Sequence, residues 1–270
     1  EFAMKRMLAS WKVAIYQICP VFRDNEVGSR HNSEFTMLEW YRPGFDLEAL
    51  AAELSDLLTT VYGQSQNLTY YSYSKAFIDY VGIHPLTASL ETIKAAAEKN
   101  ALGGLDLGED RQGWLDVLFS HLVEPNLGYQ SPTLITDYPP ATAALAKVET
   151  DEQGNEVAKR FELYINGIEI ANAYDELADG AALQARFEAD NEERARRGLP
   201  IMPIDERLVA ACDHLPACSG IALGIDRLLM VVTGAKSIDE VIGFGICLLY
   251  TSDAADERSR GGLGGRRVLR

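Results

Sequence analysis

Asn166-Gly167 joins two runs rich in β-branched and aromatic residues, 160–165 and 168–174. A two-residue link of this composition closes a hairpin in a primed turn, whose twist matches that of antiparallel strands. Part of the fold must therefore be an antiparallel sheet. Similar clusters between turn signals predict strands at about 13–19, 35–41, 133–137 and 219–223. Helical spacing recurs in Leu47, Leu50, Ala51, Leu54, Leu57, Leu58 and Val61, with Asp46 placed as N-cap and Gly63 just past the end. Further helices are predicted near 88–99, 111–123, 180–197 and 225–233. Hairpin strands with helices inserted between them predict an α+β fold, an antiparallel sheet flanked by helices. At 270 residues and 47% hydrophobic, the chain buries a full core as one large domain or a domain with insertions.

The net charge of −15 opposes non-specific attraction to a polyphosphate, so tRNA is an unfavoured partner beside a protein or a small molecule. No run of eighteen apolar residues occurs, and Glu1 to Arg6 has no apolar leader, so no membrane contact is expected and the cytoplasm is the expected compartment. Cys19, Cys212, Cys218 and Cys247 show no paired spacing, which leaves buried free thiols as the expectation. From Cys247 the apolar periodicity stops and Cys247 to Glu257 resembles translated adapter sequence, so 247–270 is expected to be a foreign or disordered tail. It carries five arginines against Asp253, Asp256 and Glu257, so the remainder is more acidic still.

Three polar groupings stand out. The first is the loop from Phe22 through Arg23, Asp24, Asn25, Glu26, Arg30 and His31 to Asn32, followed by a strand on which Phe35, Met37, Glu39 and Tyr41 share one face. A solvated hairpin tip with one hydrogen-bonded core glutamate would account for the same residues. The second is Glu169, Asn172 and Glu176 around Ile168, Ile170 and Ala171, where acids can take Mg²⁺ bridged to phosphates. The alternative is an edge strand whose charges discourage aggregation. In the third, Ser219 to Gly224 turns into a helix carrying Arg227 in its first turn, where a phosphate could be held, although small residues also serve tight packing. Gly234 to Ser237 lacks the earlier glycine of a P-loop. His84, before Pro85, and His121, on an apolar helix, read as structural, and His214 as a surface residue. Arg194, Arg196 and Arg197 suit a helix C-terminus.

Taken in order, these groupings resemble motifs 2 and 3 of the class II aminoacyl-tRNA synthetases with the acidic metal strand between them. The runs His31 to Pro43, Arg197 to Pro200 and Pro203 to Asp205 are most similar to the lysyl-tRNA-synthetase paralogues that modify elongation factor P. The resemblance covers 1 to about 246 and implies a class II catalytic core that uses ATP and Mg²⁺ to adenylate lysine or (R)-β-lysine. It implies elongation factor P as acceptor, and a homodimer for the full-length homologue. Arg23 would contact the α-phosphate and Arg227 the γ-phosphate as the catalytic cations. Asp24, Asn25, Asn32, Phe35, Glu169, Ile170 and Gly224 would complete the ATP site. Glu169 and Glu176 would hold Mg²⁺ or, with Glu1, Tyr41, Asn172 and Ala222, the amino acid. Alanine at 222 is the ligase-type residue where lysyl-tRNA synthetases usually carry glycine, and such a methyl group is worth about 1–3 kcal/mol of discrimination.

The chain departs from the pattern as well. The glutamate expected after Arg23 is displaced to Glu26, Ser33 replaces a common proline and Ala173 a common glycine. Motif 1 and the segment before Glu1 are expected to be missing, truncating the core at its N-terminus, so weak ATP binding and slow turnover are expected. A fragment of a true lysyl-tRNA synthetase and a non-catalytic paralogue remain open alternatives.

Overall fold

The computed structural model describes residues 1–23 and 28–243. Asp24, Asn25, Glu26 and the expected tail from Cys247 lie outside the described residues. The chain divides into two compact units, a larger one of Glu1–Ile18 and Leu38–Leu223, and a smaller one of Cys19–Met37 with the chain from Gly224.

In chain order the elements are α1 (Phe2–Trp11), β1 (Ile15–Phe22), β2 (Glu34–Pro43), α2 (Leu47–Tyr62), β3 (Thr69–Ser72), α3 (Tyr73–Tyr80), α4 (Leu90–Lys99) and α5 (Arg111–Leu118). They continue with β4 (Thr133–Tyr138), β5 (Val148–Thr150), β6 (Glu156–Ile165), β7 (Ile168–Asp175), α6 (Gly180–Arg196), α7 (Glu206–Cys212), β8 (Cys218–Gly224) and α8 (Ile225–Thr233). The strand order is β1-β2-β8-β7-β6-β4-β3, with β5 beside β6. The fold is α+β and its sheet mostly antiparallel. One correction is needed: β3 pairs with β4 in parallel, Thr69 opposite Thr133, because three helices intervene before the chain returns.

Asn166 and Gly167 both have positive φ (52° and 68°), as a primed hairpin turn requires. β7 lies between β6 and β8, which overturns the edge-strand alternative for its charges. Within β7 the register slips: Leu163 faces Ala171 but Tyr164 faces Glu169, so Ile170 is an extra, bulged residue.

One sheet face packs on α2, whose Asp46 side chain caps Ala49 N–H at 2.8 Å and whose Leu50, Leu54 and Leu58 are fully buried. Each such leucine contributes about 1.5–3 kcal/mol relative to exposure. Trp40 and Arg42 of β2 donate to Glu53 of α2, which ties the helix to that strand. On the other face, α3, α4 and α5 close an aromatic core in which Tyr73 stacks on Phe119 at 5.2 Å and meets Tyr138 at 5.0 Å. The helix expected over 111–123 ends its α-helical part at Leu118 and continues as a π-turn, Phe119–Val123, before Glu124–Asn126. Pro125 supplies no N–H to continue an α-helical ladder. His121 is exposed on that turn rather than packed, its Nδ1 2.9 Å from Val117 O. His84 is half-buried, with Nδ1 lacking a hydrogen-bond partner, and His214 is exposed. Cys212 and Cys218 are buried, whereas Cys19 is only half-buried.

The smaller unit is built from backbone ties. Arg23 N–H donates to Ser33 O at 2.9 Å, and Gly28 and His31 form a bridge. Asp226 of α8 is buried and accepts from Thr36 N–H at 2.6 Å.

Candidate active site

The bulge at Ile170 decides which residues of β7 act together. Partners across an antiparallel pair share a face. Glu162 faces Asn172, Tyr164 faces Glu169, Arg160 faces Tyr174, and on β8 Ala222 faces Asn172 and Gly220 faces Tyr174. The face therefore carries Arg160, Glu162, Tyr164, Glu169, Asn172, Tyr174 and Ala222 together, and Glu176 continues it beside Gly220. A Cβ on Gly220 would lie 2.5 Å from Glu176 Oε1 and from two ring carbons of Tyr41, so only glycine lets these side chains meet.

Two polar groupings occupy this face. In the first, Glu162 accepts from Tyr138 OH (2.6 Å), Tyr164 OH (2.5 Å), Asn172 Nδ2 (3.2 Å) and the Arg160 guanidinium. Burial raises the phenols of Tyr138 and Tyr164 well above their usual range, so both remain donors. Asn172 Oδ1 is buried and accepts no hydrogen bond.

In the second grouping, Lys5 Nζ lies 2.5 Å from Glu176 Oε2 and 3.1 Å from Glu1 Oε1. Tyr41 OH donates to Glu39, which also accepts from Gln17 Nε2 at 3.1 Å and lies 3.7 Å from the α-amino nitrogen of Glu1. Lys5, Glu39, Tyr41 and Glu176 are all buried, and Glu1 reaches them from an exposed position. Burial pushes the Glu176 carboxyl up to about 7 against the pull of Lys5. Burial also raises the Tyr41 phenol, and the surrounding carboxylates raise it further, so it stays a neutral donor. Beside them, burial pushes the Cys218 thiol up to about 12, which leaves it inert.

Of the residues singled out from the sequence, Glu1, Tyr41, Glu169, Asn172, Glu176 and Ala222 fall in the larger unit, where Tyr41 and the two glutamates 1 and 176 surround Lys5. Ile170, also in that unit, is the bulged residue and is buried. Arg23, Asn32, Phe35, Gly224 and Arg227 belong to the smaller unit. There the Arg23 guanidinium lies 5.7 Å from the Phe35 ring centroid, Asn32 Nδ2 donates to Glu34 O at 2.6 Å, and Arg227 Nε donates to Arg30 O at 3.3 Å. Gly224 is the N-cap of α8. Sequence reasoning missed Lys5, Arg160, Glu162 and Tyr174. The signal for Lys5 was a lysine beside the apolar stripe Met4, Leu8, Ala9 of a short helix, and that for Glu162 was its place two residues before Tyr164, on the same face as Glu169.

No group of three or more metal-ligating side chains exists among the described residues. Mg²⁺ usually takes only one or two protein carboxylates, and Glu169 on this face meets that requirement. Glu176 instead faces an ammonium. No described helix is long and apolar enough to cross a membrane.

The profile of the family tRNA synthetases class II (D, K and N) matches residues 1–247. The chain is 45% identical over 247 residues to the elongation factor P-(R)-beta-lysine ligase of Mannheimia succiniciproducens, covering 91% of this chain and 75% of that protein. It is 46% identical over 246 residues to the protein of the same name from Salmonella typhi, covering 90% and 75%.

Proposed function

Because this chain belongs to the class II tRNA synthetases (D, K and N), we propose that it is an ATP-dependent ligase that adenylates lysine or (R)-β-lysine and transfers it to a lysine side chain of elongation factor P. The observation that carries the reading is the cluster of Glu1 with the buried Glu39 and Glu176 and the neutral phenol of Tyr41. Carboxylates are retained in such a place when they are paired or when a ligand brings positive charge. An amino acid with a second amine is such a ligand.

In this reading the carboxylate oxygen of the substrate attacks the α-phosphorus of ATP and pyrophosphate leaves. An acceptor amine then attacks the carbonyl carbon of the adenylate, AMP leaves with the bonding pair, and the amine loses a proton. Such chemistry needs positioning and charge neutralisation more than a protein nucleophile. We assign Arg23 and Arg227 to the phosphates, with Asn32, Phe35 and Gly224 of the same unit to the rest of the nucleotide, and Ile170 stays with the nucleotide by resemblance alone. Asp24 and Asn25 stay with the nucleotide by resemblance alone. Glu169 would hold Mg²⁺, which when bound offsets the charge of the phosphates. Glu1, Tyr41, Asn172, Glu176 and Ala222 take the amino acid. Asn172 Oδ1, without a partner, suits an amine N–H.

The acidic chain favours a protein acceptor over tRNA, since net charge of −15 repels a polyanion. The deciding measurement is amino-acid-dependent ATP–pyrophosphate exchange with α-lysine and (R)-β-lysine, followed by transfer to elongation factor P or to tRNA. Exchange with neither amino acid would overturn the adenylation reading. Transfer to tRNA alone would overturn the acceptor.

A further inference from the structure

Lys5 is 3% exposed, a degree of burial lysine tolerates only when paired. It is paired twice, with Glu176 at 2.5 Å and Glu1 at 3.1 Å, and its ammonium lies 6.0 Å and 5.8 Å from the ring centroids of Tyr41 and Tyr174. α1 brings it there because Met4, Leu8 and Ala9 bury the same side of the helix against Leu183, Leu208 and Leu215. Two carboxylates that would repel each other are thus held around one fixed cation. Glu39 is held separately, by Tyr41 and Gln17. Among the described side chains, Glu1 and Glu176 share the one ammonium of Lys5, so this pair keeps one negative charge that Lys5 does not offset.

We infer that Lys5 is a positioning residue that sets the amino-acid preference: it holds Glu176, with Glu1 beside it, and leaves a charge deficit suited to the second ammonium group of a substrate. The inference rests on the amino-acid site proposed above and adds to it the residue that determines its selectivity. Removal of Lys5 leaves Glu176 buried beside no cation, and a carboxylate in that position cannot keep its place as an anion. The carboxylate then no longer meets the second amine of the substrate. The part of the affinity that depends on that amine is lost, and the rest is kept.

The test is equilibrium binding of α-lysine, (R)-β-lysine and norleucine, which lacks the second amine, to the full chain. The wild-type protein is expected to prefer one of the two lysines over norleucine by about tenfold or more, a difference of about 1.4 kcal/mol. In Lys5→Met that preference falls to within about threefold while norleucine binding is unchanged. Equal weakening of all ligands, or an undiminished preference, would overturn the inference. Should Lys5→Met not fold, Glu176→Gln and Lys5→Met/Glu176→Gln are compared, since neither holds a buried carboxylate at 176. If Lys5 acts through Glu176, the two variants bind lysine alike, and a tenfold difference between them sinks the idea. A wild-type protein that binds no lysine, or does not distinguish it from norleucine, refutes the amino-acid site itself and not the role of Lys5.

Discussion

Two carboxylate groupings share one face of the sheet, and they are balanced in opposite ways. Glu162 is a single acid that accepts from four donors, one of them the guanidinium of Arg160. Around Lys5 the ratio is inverted, with Glu1 and Glu176 sharing one side-chain cation while the buried Glu39 is held by Tyr41 and Gln17. A buried acid whose oxygens are all supplied with donors rigidifies the strands that carry it, whereas carboxylates that outnumber their cations are stabilised by added positive charge. The first grouping is therefore built to hold shape and the second to receive a cation. Asn172 stands between the two roles, since it is bound to Glu162 on one side and faces Ala222 on the other.

The sharpest way to break this contrast is Glu162→Ala. It leaves Arg160 buried without its counter-charge and removes the acceptor of two phenols and an amide, which should cost about 3–5 kcal/mol in denaturant-induced unfolding. A loss below about 1 kcal/mol, the size of one ordinary hydrogen bond, would mean that the four-donor network does not support the fold. Gly220→Ala comes next. Its new Cβ meets Glu176 and Tyr41 at 2.5 Å, so overpacking should cost about 1–3 kcal/mol, and lysine binding should weaken because both partners are displaced. Calorimetric titration with lysine beside a melting curve separates the two effects. A pair of conservative changes then compares the groupings directly. Tyr138→Phe leaves Glu162 three donors and should cost about 1 kcal/mol of stability with lysine affinity intact. Tyr41→Phe, by contrast, leaves Glu39 with Gln17 as its hydrogen-bond donor and should weaken lysine binding several-fold. Equal effects of the two on lysine affinity would dissolve the distinction.

Much of this arrangement is legible in the chain itself. The two-residue turn at Asn166-Gly167 sets Tyr164 opposite Glu169, and alternation then puts Glu162 on the same face, so that pair follows from the sequence alone. Asn172 and Glu176 do not follow. Strict alternation would send both to the face opposite Glu169, because the separations of three and seven residues are odd. The bulge at Ile170 reverses them, and nothing in Ile168 to Ala171 marks where an extra residue will be accommodated. Glu39 and Tyr41 were placed together by the period of β2, and their hydrogen bond bears that out. Lys5 was passed over because no element is predicted before residue 13, and its burial is fixed by a partner just past β7, remote in sequence. The parallel pairing of β3 escaped for a similar reason, since a four-residue strand carries little periodicity of its own.

The smallest expected effect concerns pH and turns on the same imbalance. Burial holds the Glu176 carboxyl at about 7, so a sizeable fraction is protonated in mildly acidic solution. An ammonium binds the ionised form. As pH rises from about 6 to about 8 the carboxyl loses its proton and lysine affinity should rise several-fold, with the midpoint at about 7. The lysine amines remain protonated across most of that range, so the ligand contributes little of the change. Glu176→Gln should bind more weakly and show a flat profile. Glu162, already facing four donors, should leave the midpoint where it is when Tyr138 is replaced by phenylalanine. A wild-type affinity that stays constant across that pH range, or falls, would show that Lys5 keeps Glu176 ionised throughout, and the contrast between the two groupings would then rest on geometry alone.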